Sequence, residues 1–283
     1  MSTPTVGIIG NGFIGGAIYK GFSPITEVKI HDKDPLRNAH TLEEVIDQDV
    51  IFLCIPTPMV KETGQCSTKN LLGVLNGVIG HSKFDQSKTV VIKSTIPPDF
   101  FQSLTNPQIV YMPEFLTERT AELDFLQSSR FIFGVSDGIT TPKDVTRLFY
   151  TRFPGARQVV VSWETASMIK YATNNFFTVK LSFFNELSRI CEELPPVDRK
   201  AVVEELLQDG RIGRSHFAVP GPDGQRGWGG HCFPKDNRAL SYFARQLGLS
   251  TQMIDAAWKV NLECRGEEEL EEELDQMKGR AVE

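Results

Sequence analysis

The chain has 283 residues, 40% of them hydrophobic, which is enough for two domains with sizeable cores. Its net charge of −6 speaks against nucleic acid as the main partner, since phosphate binding needs clustered Lys and Arg. No apolar run approaches the roughly 20 residues that span a bilayer, so no membrane segment is expected. The five cysteines (Cys54, Cys66, Cys191, Cys232 and Cys264) form no CxxC pair, so no metal is expected, and reduced thiols of a cytoplasmic protein are the plain reading.

In chain order, the opening MSTPTVGIIGNG runs straight into a strand and predicts no signal peptide. Thr5–Gly10 reads as a buried strand, Ile14–Phe22 as a helix and Glu27–Asp32 as a second strand. Thr41–Asp47 opens on a capping box, Thr41 with Glu44. Val50–Ile55 is wholly apolar, as a strand covered on both faces should be. Asn70–Ile79 predicts a helix; Thr89–Lys93, Gln108–Met112, Phe131–Val135 and Val159–Val161 predict further strands. The alternation over roughly 160 residues predicts an α/β domain, a doubly wound (Rossmann) parallel sheet, over residues 1–162.

From Trp163 to Glu193 there is neither Gly nor Pro, and one long helix is predicted, ended by Pro195 and Pro196. Val197–Gln208, Pro234–Leu247 and Gln252–Leu262 follow as helices. Residues 163–265 are thus expected to be all-helical, and 266–283 to be an acidic, solvated tail.

Four groups of residues point to chemistry. GIIGNGFIGG places GxGxxG at Gly10, Gly12 and Gly15, between a strand and a helix. Gly10 makes the turn, Gly12 admits a pyrophosphate and Gly15 lets helix and strand lie close. Asp32, at the end of the second strand, suits the ribose hydroxyls and favours NAD over NADP. In RGWGGHCFPKD, Pro234 fits a first helical turn, which puts Cys232 at a helix N-terminus, where a thiolate is stabilised; an inert, buried thiol is the competing reading. Lys170 and Asn174 share one face of the long helix, with a snorkelling surface lysine as the alternative. Ser94, Thr95, Glu114 and Glu118 follow predicted strands, at the end where such sheets bind ligands.

These residues come with CIPTP, KSTIP, MPEFLTE, KYATN, FFNEL, RIGRSHF and GWGGHCFPKD, in that order. With them the chain resembles the UDP-glucose/GDP-mannose dehydrogenase family from residue 6 to about residue 262. The resemblance implies an NAD-dependent, four-electron oxidation of the C6 alcohol of a nucleotide sugar, with UDP-glucose to UDP-glucuronate favoured. It makes Cys232 the nucleophile, through a thiohemiacetal and a thioester. Lys170 stabilises the oxyanion, Asn174 holds the oxygen, Asp236 and Thr95 position water and relay protons, and Glu114 assists thioester hydrolysis. It places Gly10, Gly12, Phe13, Ile14, Gly15, Asp32, Pro56, Thr57, Ser94, Thr95, Glu118 and Lys235 at the cofactor. Phe115, Leu116, Lys170, Asn174, Arg211 and Gly229 fall at the substrate, with Arg211 reaching across a homodimer built on the long helix.

The chain departs from the family pattern twice. The stretch between Asp32 and Val50 is short, and the nucleotide-binding domain that follows the helical part in the family is not expected here. Two other readings therefore stay open: a dehydrogenase of a small hydroxy acid, and a non-catalytic partner that dimerises with a longer enzyme.

Overall fold

The computed structural model of the protein describes residues 2–266 and Leu270, so the predicted acidic tail lies outside the described residues except for Gly266 and Leu270. The chain divides into two compact units. One takes the chain to Thr57 and again from Ser67 to Lys170; the other takes Pro58–Cys66 and the chain from Tyr171 onward.

The first unit is a seven-stranded sheet. Its strands are β1 (Val6–Ile9), β2 (Val28–His31), β3 (Val50–Leu53), β4 (Thr89–Ile92), β5 (Ile109–Tyr111), β6 (Arg130–Val135) and β7 (Arg157–Ser162), in the order β2-β1-β3-β4-β5-β6-β7. Helices α1 (Phe13–Phe22), α2 (Leu42–Ile46), α3 (Lys69–Ile79), α4 (Ala121–Leu126) and α5 (Lys143–Arg152) connect them. This is the doubly wound arrangement read from the sequence. One junction differs: β5 meets β6 antiparallel, at Tyr111 and Gly134, while every other pairing is parallel. An apolar run buries the same side chains in either direction, so the pattern of hydrophobicity carries no record of strand direction.

Successive residues of β3 enter opposite cores. Val50 and Phe52 pack with Val6, Ile8, Phe22 and Phe149 on one face; Ile51 and Leu53 pack with Leu71, Leu75, Val90 and Ile92 on the other. That is the period-2 rule acting on a strand with both faces covered. The first core is aromatic, with Phe22, Phe125, Phe131, Phe149 and Phe153 in edge-on contacts such as Phe22–Phe149, centroids 5.1 Å apart. Helix α2 starts as its sequence dictates: Thr41 Oγ1 accepts the Glu44 N–H at 3.2 Å, and Glu44 accepts the Thr41 N–H at 2.8 Å.

Helix α6 runs from Trp163 to Glu192, one residue short of the predicted end. Its start belongs to the first unit. There Trp163 stacks on Phe101, centroids 5.7 Å apart, and donates from Nε1 to the Ile109 carbonyl at 3.2 Å. From Tyr171 on it belongs to the second unit, with α7 (Arg199–Leu206), α8 (Phe233–Gln246) and α9 (Gln252–Arg265). Asp198 caps α7 by accepting the Lys200 N–H at 2.9 Å. The excursion Pro58–Cys66, closed by a bridge between Met59 and Cys66, joins this helical unit and was not read from the sequence.

Candidate active site

The glycine motif does in the first unit what its spacing requires. Gly10 has φ +98°, and a Cβ there would lie 2.4 Å from the Cys54 carbonyl oxygen. A Cβ on Gly15 would lie 2.0 Å from the Gly10 oxygen, so α1 can approach β1 only because that atom is absent. Beside Gly12 a Cβ would meet nothing within 4 Å, and no side chain caps the start of α1. The first N–H groups of α1 are therefore available to an anion. Asp32 Oδ2 accepts the Asn11 N–H at 2.6 Å and Oδ1 accepts the Asp34 N–H at 2.9 Å, which ties the glycine turn to the end of β2. Phe13 and Ile14 are half-buried behind the turn. Open space at Gly12, free N–H groups and an acid beside the turn fit a dinucleotide.

The ends of β3 and β4 are tied together next to this turn. Ser94 Oγ donates to the Ile55 carbonyl at 2.6 Å, and Thr57 Oγ1 donates to the Thr95 carbonyl at 2.7 Å. Ser94 and Thr57 are buried, Thr95 is half-buried and Pro56 is exposed. Beyond β5, Glu114 takes the Leu116 N–H on Oε2 at 2.6 Å and the Lys170 ammonium on Oε1 at 3.0 Å. Lys170 is therefore a buried, paired lysine, not a surface one; its Nζ also stands 5.5 Å from the centre of the Phe115 ring. Glu118 is exposed in a short turn of helix, Glu118–Thr120.

Two groups around Glu114 were missed. Lys93 is 3% exposed and directs Nζ toward the Pro113 carbonyl at 3.5 Å. Burial, with the Lys170 charge adding, brings its amine down to about 8 against the pull of Glu114. The Cys54 thiol is pushed up to about 12 by burial, with Lys93 opposing, and stays protonated. A lysine closing the apolar run VVIK was the available signal for the first.

The second unit carries the thiol. Cys232 is the N-cap of α8, half-buried, with Pro234 in the first turn. Behind it Lys235, Asp236 and Asn237 are all buried. Asp236 Oδ2 accepts the Asn174 amide at 2.6 Å, and Oδ1 takes the Lys235 ammonium. Burial alone would lower the affinity of Lys235 for its proton; Asp236 outweighs it and holds the lysine charged. Asn175, also missed, donates to the carbonyls of Tyr171 at 2.9 Å and Asp236 at 3.2 Å, locking α6 to α8. Gly229 is half-buried. Arg211 is exposed and folds back on Asp209, with Nε 2.9 Å from Oδ1, so it joins no other candidate residue within its unit.

Comparison with known proteins gives these residues a context. Residues 27–153 match the NAD binding domain of the UDP-glucose/GDP-mannose dehydrogenase family, and residues 164–263 match its central domain. The glycine turn lies ahead of the first matched stretch. The chain is 30% identical to the UDP-glucose 6-dehydrogenase of Rickettsia bellii over 231 residues, 78% of this chain and 51% of that one. It thus spans about half the length of that curated relative. Among solved structures it is similar to a UDP-glucose dehydrogenase from Pyrobaculum islandicum, with TM-score 0.77, 25% identity, and coverage of 92% of this chain and 68% of that one. The 3-hydroxyisobutyrate dehydrogenase of Mycobacterium tuberculosis shares the fold at TM-score 0.69 and 12% identity, over 99% of this chain and 100% of that one. With both its sheet unit and its helical unit matched, the chain belongs to the UDP-glucose/GDP-mannose dehydrogenase family.

Proposed function

We propose that the chain oxidises the C6 alcohol of a nucleotide sugar to a carboxylate with NAD, with UDP-glucose as the favoured substrate. The observation that carries this reading is Cys232 at the N-cap of α8, four residues ahead of a buried Asp236 that is held by Asn174 and Lys235. Two molecules of NAD, bound in turn, would supply the hydride acceptors, one for each oxidation. Gly10, Gly12 and Gly15 with Asp32 would hold its pyrophosphate and ribose, with Thr57, Ser94 and Thr95 alongside.

The residues of the chain divide the remaining work. Cys232 Sγ bonds to the aldehyde carbon while the carbonyl oxygen takes up a proton, giving a thiohemiacetal. Lys170, fixed by Glu114, donates to that oxygen as it gains negative charge, and Asn174 holds it in place. Asp236 accepts and returns protons through water. Loss of a hydride and a proton from the thiohemiacetal leaves a thioester, which water opens with help from Glu114, releasing the carboxylate and restoring the thiol.

We read the chain as a homodimer through α6. Phe176, Phe183 and Ile190 follow at seven-residue intervals and are 63%, 53% and 57% exposed, an apolar stripe that a second copy of the helix would cover.

The test is the yield of NADH per UDP-glucose. About two per sugar, lost in Cys232→Ala, supports the reading. No NADH from any nucleotide sugar refutes it and favours a non-catalytic partner. The fold shared with the 3-hydroxyisobutyrate dehydrogenase, which spans both chains, favours a small hydroxy acid as the second reading. Turnover of such an acid that survives Cys232→Ala would establish that one instead.

A further inference from the structure

We propose that Asn261 is a positioning residue for Cys232, its side-chain amide fixing the point where the glycine arm that carries the thiol begins. The inference rests on the reading of Cys232 as the nucleophile.

Asn261 lies on α9 and is fully buried. Its Oδ1 accepts the Trp228 N–H at 2.7 Å and its Nδ2 donates to the Trp228 carbonyl at 2.8 Å. One amide thus pairs with both main-chain groups of a single residue, as a neighbouring strand would. Only Asn or Gln offers a donor and an acceptor in that arrangement; a carboxylate lacks the donor and an aliphatic side chain lacks both. The grip is reinforced from α6. Asn185 Oδ1 accepts the Gly227 N–H at 2.8 Å, and Trp228 Nε1 donates to Ser182 Oγ at 3.0 Å. Trp228 is 2% exposed and packs on Leu181, Ala257 and Trp258. Gly227 has φ +74°, and a Cβ there would lie 2.4 Å from Asn261 Oδ1, so the approach of the amide requires glycine at that position.

From this clamp to the thiol the chain has only Gly229, Gly230 and His231 to cross. Neither glycine has a side chain to pack, and Gly230 adopts φ +76°. One end of the arm is set by the first turn of α8, where the Asp236 N–H donates to the Cys232 carbonyl at 2.9 Å, and the other by the hold on Trp228. Removing the amide leaves two buried backbone groups of Trp228 without partners. The arm relieves that by moving, and the thiol moves with it, away from the helix N-terminus.

The test compares the full chain with Asn261→Leu, Asn261→Asp and a control, Leu148→Ala, that loosens the core of the first unit. Three quantities are read: thermal stability, the rate at which iodoacetamide labels the peptide containing Cys232, and kcat with KM for the nucleotide sugar. Asn261→Leu should label Cys232 about tenfold more slowly. Its kcat should fall about 100-fold with KM little changed. Asn261→Asp, which keeps the acceptor, should fall between, and it carries the comparison if Asn261→Leu does not fold. Labelling and kcat no lower than in Leu148→Ala of equal stability would overturn the assignment. Slowed labelling in a chain that turns over no nucleotide sugar would uphold the clamp while refuting the proposed reaction.

Discussion

Lys170 and Glu114 face each other across 3.0 Å with 3% of each side chain exposed, and the pair links the start of the long helix to the loop after β5. Neither charge has water to fall back on. Glu114→Gln leaves a buried ammonium without its counter-charge and should cost about 3 kcal/mol in urea unfolding, whereas Glu114→Leu with Lys170→Met should recover most of that. A loss below about 0.5 kcal/mol would mean that the pair is solvated.

Lys93 gives a pH signature of its own. Its amine sits at about 8, below the ordinary 10.5. Between these two values the unfolded chain holds more protons than the folded one, so this group makes stability rise with pH. The penalty of the buried charge is fully present below about 8 and gone above 10.5. Lys93→Met should therefore be more stable than the parent by about 3 kcal/mol at pH 6.5, with the gap closing toward pH 10. An equal gap at both pH values would contradict this.

Thiol reactivity should sort by site. Burial pushes the thiols of Cys54 and Cys264 up, Cys54 to about 12. Cys66 and Cys191 are buried. Limited alkylation followed by peptide mass spectrometry should find Cys232 labelled first. Prior labelling of Cys54 would mean that the strand end where it sits opens readily.

Asp32 holds the glycine turn through Asn11, and in the proposed reading it also takes the ribose hydroxyls. Asp32→Asn should weaken NAD binding about tenfold by calorimetry and narrow the preference over NADP. An unchanged ratio of the two affinities would remove Asp32 from the cofactor site.

Replacing Phe183 in the middle of the exposed stripe tests the dimer. Phe183→Glu should convert a dimer to a monomer in light scattering. A monomeric parent, or a dimer indifferent to the change, would rule out this face.

How much of this was legible depended on how local the cause was. The glycine turn, the Thr41–Glu44 capping box and the uninterrupted run that became α6 are each set by a few adjacent residues, and all were readable. So was Cys232 at a helix start, because Pro234 marks it. Helix α4 has only six residues, too few for a periodic signal, and the direction of β6 leaves no mark in an apolar strand. The polar groups that brace the backbone around the candidate site were harder to find. Asn175, Asn185 and Asn261 each reach a backbone group 33 to 61 positions away, and nothing near them in the chain shows that. Lys170 stood out in the sequence as a site candidate, but its burial and its pairing with Glu114 left no mark there.

The central claim, that Cys232 carries the substrate as a covalent adduct, is tested most directly by acid-quenching Glu114→Gln during turnover with UDP-glucose and NAD and weighing the peptide that contains Cys232. A sugar-nucleotide adduct on that peptide, absent without NAD and absent in Cys232→Ser, is the expected result. An unmodified peptide, together with full oxidation of UDP-glucose by Cys232→Ser, would contradict it.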